Sequence, residues 1–224
     1  MPNTTITKQR FKDHWSYSKK VYIFGIIITI AVASFIFTVT RYTPPEEATV
    51  SIALVDSYCD TSKLDEYLPT LLELGQEFDP SLEEVSFLSI AYSGDSSDDY
   101  YGAQVYTVQL YAGDNDVFIQ TEELTQELID ADYCVALDTL DYFEDFTAKY
   151  PEVEILWSTD EATGEKLHAY AIDTTSLTGF LTTGAFDVRN KYAMISLSSG
   201  NVDTSFKVLT DLYDVLVTKE ESAE

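Results

Sequence analysis

The side chains of this chain that could do chemistry are few in kind. Its 224 residues hold two cysteines, two histidines and 39 acidic groups against 13 basic ones. His168 sits in an apolar run with no serine or cysteine nucleophile near it in sequence. It reads as a structural histidine rather than the base of a triad. Glu122 and Glu123, Asp138 and Asp141, and Glu144 and Asp145 are carboxylate pairs of the type that serves acid–base hydrolysis. At this density of acids, close pairs arise by chance and do not indicate a glycosidase. Asp95, Asp98 and Asp99 resemble half of a calcium loop, but the glycine and closing glutamate of that frame are missing, so the segment reads as a solvated loop. No P-loop, GxSxG or HExxH occurs, and two cysteines with two histidines exclude the usual zinc modules. No catalytic residue, metal site or cofactor is therefore expected. The remaining candidates are hydroxyl, amide, carboxylate and aromatic groups that could hydrogen-bond and stack on a small solute: Ser57, Tyr58, Asp60, Tyr92, Ser93, Gln120 and Thr121.

Those seven residues are singled out by the elements that precede them. Val50–Val55 alternates and is β-branched, which predicts a strand. Asp60 or Thr61 can cap a helix to about Leu74, with Gly75 as its stop and Pro69 shortening or kinking it. Val85–Tyr92 reads as a second strand. Tyr100–Ala112 is ambiguous: Tyr106, Val108 and Leu110 alternate like a strand, whereas Tyr101, Val105, Val108 and Ala112 follow helical spacing. Asp116–Gln120 reads as a short strand, Thr121 opens a helix to about Ala131, Tyr133–Leu137 is strand-like, and Asp138–Lys149 is an acidic helix ending before Pro151. Val153–Ser158 and Leu167–Ile172 read as a hairpin, Tyr192–Leu197 as a strand, and Asp203–Val217 as a helix. Strands alternating with helices predict an α/β domain with a mostly parallel sheet. In such sheets ligands sit beyond the carboxyl ends of the strands, which is where the seven residues fall.

Ahead of this body, residues 21–40 form a twenty-residue run without a charge. As a helix it spans about 30 Å, the thickness of a bilayer's hydrocarbon core. It outruns the core of a cleavable signal, which predicts an uncleaved transmembrane helix in contact with lipid. Lys19 and Lys20 stand at its leading edge and only Arg41 follows closely. The positive-inside rule then puts the tail 1–20 in the cytoplasm and the body outside. Residues 41–48, with Pro44 and Pro45, read as a spacer, 49–218 as the domain and 219–224 as a disordered tail. The body carries seven basic residues against 38 acids, a net charge of −31. Such a body repels phosphate, so neither nucleic acid nor an anionic lipid surface is an expected partner. Cys59 follows the first strand and Cys134 opens a later one. Parallel strands would hold them at opposite ends, beyond disulfide reach.

The order of these pieces resembles a membrane-anchored group of extracellular Gram-positive proteins that carry a shortened type-2 periplasmic-binding-protein-like domain. The resemblance rests on several segments. One is the aromatic, basic lead of Phe11, His14, Trp15, Tyr17 and Lys19 before the anchor. The first strand and its helix follow. Asp98-Asp99-Tyr100-Tyr101 then leads toward Tyr111-Ala112-Gly113 and Asp116-Val117-Phe118-Ile119. Val135-Ala136-Leu137-Asp138 and His168-Ala169-Tyr170-Ala171-Ile172 complete the set, the last with Ala171 where the family usually has glycine. The likeness implies that Tyr100–Ala112 is a helix and that the domain is a single lobe, since the body is shorter than a two-lobed ligand trap. It implies a non-enzymatic solute-binding or interaction module. The alternatives are an accessory subunit of a membrane protein complex and, behind both, an extracytoplasmic hydrolase.

Overall fold

A computed structural model describes residues 8–40, 42–94, 99–159, 163 and 165–217, without the side chains of 9–11, 13, 14, 16 and 17. The chain divides into two units, Met1–Thr43 and Pro44–Glu224. Among its described residues the first contains one helix, α1 (Lys8–Thr40). Its segment Ser18–Thr40 has a mean hydropathy of 2.5 over a stretch long and apolar enough to cross a membrane. Thr29, Thr38 and Thr40 return their hydroxyls to the carbonyls of Gly25, Ser34 and Ile36. Each of these hydroxyls is thereby satisfied within the helix itself.

The second unit is α/β. Its strands are β1 (Thr49–Asp56), β2 (Glu84–Ala91), β3 (Val117–Thr121), β4 (Ile155–Thr159), β5 (Lys166–Asp173) and β6 (Lys191–Ile195). They form one sheet in the order β2-β1-β3-β6-β5-β4. β1 pairs parallel with both β2 and β3, whereas β6 is antiparallel to β3 and β5, and β4 to β5. The sheet is therefore mixed, with a parallel half around β1 and an antiparallel half beyond β3. The helices of this unit are α2 (Leu68–Phe78), α3 (Tyr100–Ala112), α4 (Glu122–Asp130), α5 (Phe143–Lys149), α6 (Thr178–Thr183) and α7 (Val202–Leu216). β1 is apolar on both sides because both are covered. Val50, Ile52 and Leu54 join the core under α2, α5, α6 and α7, while Ala53 and Val55 join the core under α3 and α4.

Several elements depart from the sequence reading for definable reasons. Pro69 lies in the first turn of α2, where its missing N–H costs nothing, so the helix begins at Leu68 after a single tight turn at Thr61–Leu64. Gly75 does not stop that helix. It sits within it, where an added Cβ would lie 2.6 Å from Leu82 Cδ2 and 3.3 Å from Val208, so α2 closes onto α7 through this glycine. Tyr133–Leu137 forms only a bridge, Cys134 opposite Ser196, before a tight turn at Leu137–Thr139; the α-helix of the following segment starts at Phe143 rather than Asp138. α6 is a short helix that the sequence pattern does not announce. The turn of the β4–β5 hairpin, the acids Asp95 and Asp98 and the tail 219–224 fall outside the described residues. Both cysteines are free. Cys59 follows β1, while Cys134 lies at the other edge of the sheet with its Sγ 3.1 Å from Met194 Sδ, its thiol pushed up to about 12 by burial.

α7 is tied at both ends. Asn201 Nδ2 donates to Thr49 O at 2.8 Å at the start of β1, and Tyr213 OH donates to Asp173 O at 2.5 Å at the end of β5. Two buried carboxyls accompany these ties. Asp116 accepts from Ser51 N at 2.8 Å and Ser199 Oγ at 2.7 Å. Asp211 accepts from Lys207 with one oxygen, and its other oxygen has no partner among the described residues. Burial raises both carboxyls above the ordinary value of 3.8 despite these partners. A carboxyl raised in the folded state holds its proton more tightly there than in the unfolded chain. Its contribution is therefore complete below 3.8 and is lost as pH rises through the folded value. Asp79 and Asp187 are held low, chiefly by hydrogen bonds from Ser81 and Arg189, and act in the opposite sense only below about pH 4. Stability is thus expected to rise as pH falls from 7 toward that range. Asp211→Asn, which removes the buried charge, should raise stability at pH 7 and flatten the rise. Denaturant titration across pH measures both, and a slope unchanged in the variant would contradict this origin.

Candidate functional site

The parallel half of the sheet contains a reversal. From β1 the chain crosses by α2 on one face to β2, and then returns by α3 on the other face, past β1, to β3. Where strand order reverses in this way, open α/β sheets place their ligands beyond the carboxyl ends of the two flanking strands, which here are β1 and β3. The antiparallel β6 adds its opening residues to the same edge, with Lys191 opposite Thr121 and Tyr192 opposite Gln120. Asp173 of β5 lies beside Tyr192.

On the α2/α7 side of this edge stands a buried ion pair. Lys191 is 5% exposed, its Nζ 3.0 Å from Asp56 Oδ2 and 5.4 Å from the centroid of the Phe186 ring. Its backbone carbonyl accepts from Thr174 N and Thr174 Oγ1. The loop after β1 is fastened to the loop after α6: Asp60 N donates to Ala185 O at 2.8 Å and Lys63 Nζ to Gly184 O at 2.9 Å. Gly184 adopts φ +63°, the left-handed conformation that ends α6. On the α3/α4 side, Gln120 is fully buried. Its Oε1 accepts from Tyr106 OH at 2.9 Å, while its Nε2 has no acceptor among the described residues. The Tyr92 ring lies 5.4 Å from that of Tyr106, and burial raises the Tyr106 phenol.

The structure thus brings all seven sequence-derived residues to one edge, divided between its two sides. Several have local duties. Ser57 bonds Asp56, Asp60 accepts from Ser62, and Thr121 caps α4 through Leu124 N. Tyr92 and Gln120 are core groups, while Ser57, Tyr58 and Ser93 face solvent, with Lys63 Nζ 3.5 Å from Tyr58 OH. Asp56, Lys191 and Phe186 escaped the sequence reading. The signal for Lys191 was there: a lysine opens a strand whose other members are all uncharged and buried.

Two other clusters serve packing. A cleft of about 210 Å³ between α5 and α7 is lined by Tyr142, Phe146, Lys149, Tyr150, Lys207 and Asp214 among others. Its cations are engaged, Lys149 with Asp214 and Lys207 with Asp211. His168 Nδ1 lies 3.1 Å from Asp138 Oδ2, and Ser158 Oγ bonds the His168 backbone rather than its ring. That is a structural arrangement and not a triad. No group of three or more metal-ligating side chains occurs among the described residues. No known protein family, curated protein or solved structure matches the chain.

Removing one member of a buried ion pair leaves the other charge uncompensated. Lys191→Met is expected to destabilise the protein by about 3 kcal/mol, the lower end of the usual range because Asp56 keeps some contact with water. Asp56→Asn combined with Lys191→Met should recover part of that loss in denaturant titration. Equal losses in the single and double variants would show that the pair is not what holds this edge.

Proposed function

We propose that this chain is a membrane-anchored, cell-surface binding protein with a non-catalytic, single-lobe solute-binding-like domain. Its helix α1 is the anchor, the basic tail lies in the cytoplasm, and the acidic α/β unit stands outside. The observation that carries the reading is the reversal of strand order at β1 and β3, with the Asp56–Lys191 pair beside it. The groups at that edge suit recognition. Ser57 and Ser93 offer hydroxyls, and Tyr58 a stacking ring with a cation beside it. Such groups fit a small polar solute such as a sugar or a short peptide. They do not form a nucleophile–base pair.

The test is thermal unfolding of the full chain in detergent with panels of monosaccharides, amino acids and short peptides. A ligand at about 100 times its Kd adds about 2.7 kcal/mol, which shifts Tm by roughly 5–10 °C for a domain of this size. Tyr58→Ala is expected to leave the ligand-free Tm unchanged and to remove most of the shift. A shift retained in Tyr58→Ala and lost in Lys149→Ala would move the site to the α5/α7 cleft.

A further inference from the structure

α3 presents its apolar residues on both sides. It buries Tyr106 and Leu110 against the sheet, and Gly102 lets it approach closely, since a Cβ there would lie 2.5 Å from Ala91 O. The stripe that the helical spacing marks as apolar points the other way. Tyr101 is 80% exposed, Val105 48% and Val108 63%, with Tyr100 and Tyr111 at 65% and 64% beside them. Single exposed apolar residues are ordinary, but a contiguous strip along one helix marks an interaction surface. A solvent-facing helix normally carries charge on its outer side. α3 carries none along its thirteen residues.

The surroundings of the strip define what fits it. Asp99 caps α3, its Oδ1 accepting from Gly102 N at 2.8 Å, and Asp114 follows the helix. Tyr111 meets Tyr133 edge to face at 5.3 Å, which brings the segment containing Asp130 and Asp132 alongside. Every charged side chain from residue 64 to 148 is a carboxylate. Two such faces repel each other, and an anionic lipid surface is repelled as well. Tyrosine rings, by contrast, attract guanidinium and ammonium groups, and carboxylates at the rim steer them in.

We propose that the outer face of α3 is a docking surface for a cationic polypeptide, an arginine- or lysine-bearing segment with aromatic or aliphatic side chains. This surface is separate from the edge of the sheet at β1 and β3 and stands whether or not that edge binds a solute. The test uses the full chain in nanodiscs of neutral lipid, with empty nanodiscs as the blank. It is titrated with a short peptide of arginine, tyrosine and valine, and with an oligoarginine of equal charge. The mixed peptide should bind more tightly than oligoarginine. Tyr101→Ser, Val105→Ser and Val108→Ser together should weaken the mixed peptide by about tenfold, a typical effect of losing interface anchors. Leu167→Ser with Leu197→Ser, which alters exposed apolar residues elsewhere, should leave it unchanged. Equal affinity for the wild type and the triple variant would overturn the proposal. So would a wild-type dimer that the triple variant abolishes, or pelleting of the wild type with anionic vesicles that the triple variant abolishes.

Discussion

Cations are scarce in the folded unit, and its polar structure is arranged around that scarcity. Lys63, Lys149, Arg189, Lys191 and Lys207 are each paired with an aspartate, and Lys166 lies over the Trp157 ring at 5.1 Å. Several aspartates find other donors, hydroxyls and backbone amides. Asp79 accepts from Ser81 and Thr204, Asp116 from Ser51 N and Ser199, Asp173 from Thr175, and Asp138 from Ala169 N. These bonds stabilise the charges locally but do not cancel the field. A net charge of −31 on one compact unit opposes folding through self-repulsion, which the two apolar cores on either side of the sheet must outweigh.

Much of the fold was legible because periodicity and punctuation agreed. β1, β2, β3, β6 and α7 lie close to where alternation and spacing put them, and Thr121 caps α4 as its position suggests. What remained hidden depended on contacts distant in sequence. Gly75 looks like a helix stop until Leu82 and Val208 press against it. Tyr133–Leu137 has strand composition but finds only one bridging residue on β6. The antiparallel direction of β6 cannot be read from its five residues, because a strand buried on both faces looks the same in either direction.

That direction bears on the candidate site. Had β6 run parallel to β3, its first residue would lie at the amino edge. Because it runs antiparallel, Lys191 arrives at the carboxyl edge opposite Thr121 and meets Asp56. The sequence supplied the seven polar and aromatic residues of the edge but not the ion pair that joins β1 to β6 across β3. For α3 the difficulty was the reverse. Tyr101, Val105, Val108 and Ala112 fit one helical face, although the pattern alone left a strand open and only the family resemblance pointed to a helix. Only the packing shows that this face is the outer one.

The proposed topology, with the basic tail and the acidic unit on opposite sides of a membrane crossed by α1, rests on the charge asymmetry of the chain. Accessibility to a membrane-impermeant maleimide in intact cells tests it most directly. Gly200→Cys is exposed with open space around it, and Lys12→Cys lies in the tail; both would be made in a Cys59→Ser background. The account requires Gly200→Cys to label in intact cells and Lys12→Cys to label only after permeabilisation. Labelling of Lys12→Cys in intact cells, or of Gly200→Cys only after permeabilisation, would contradict it.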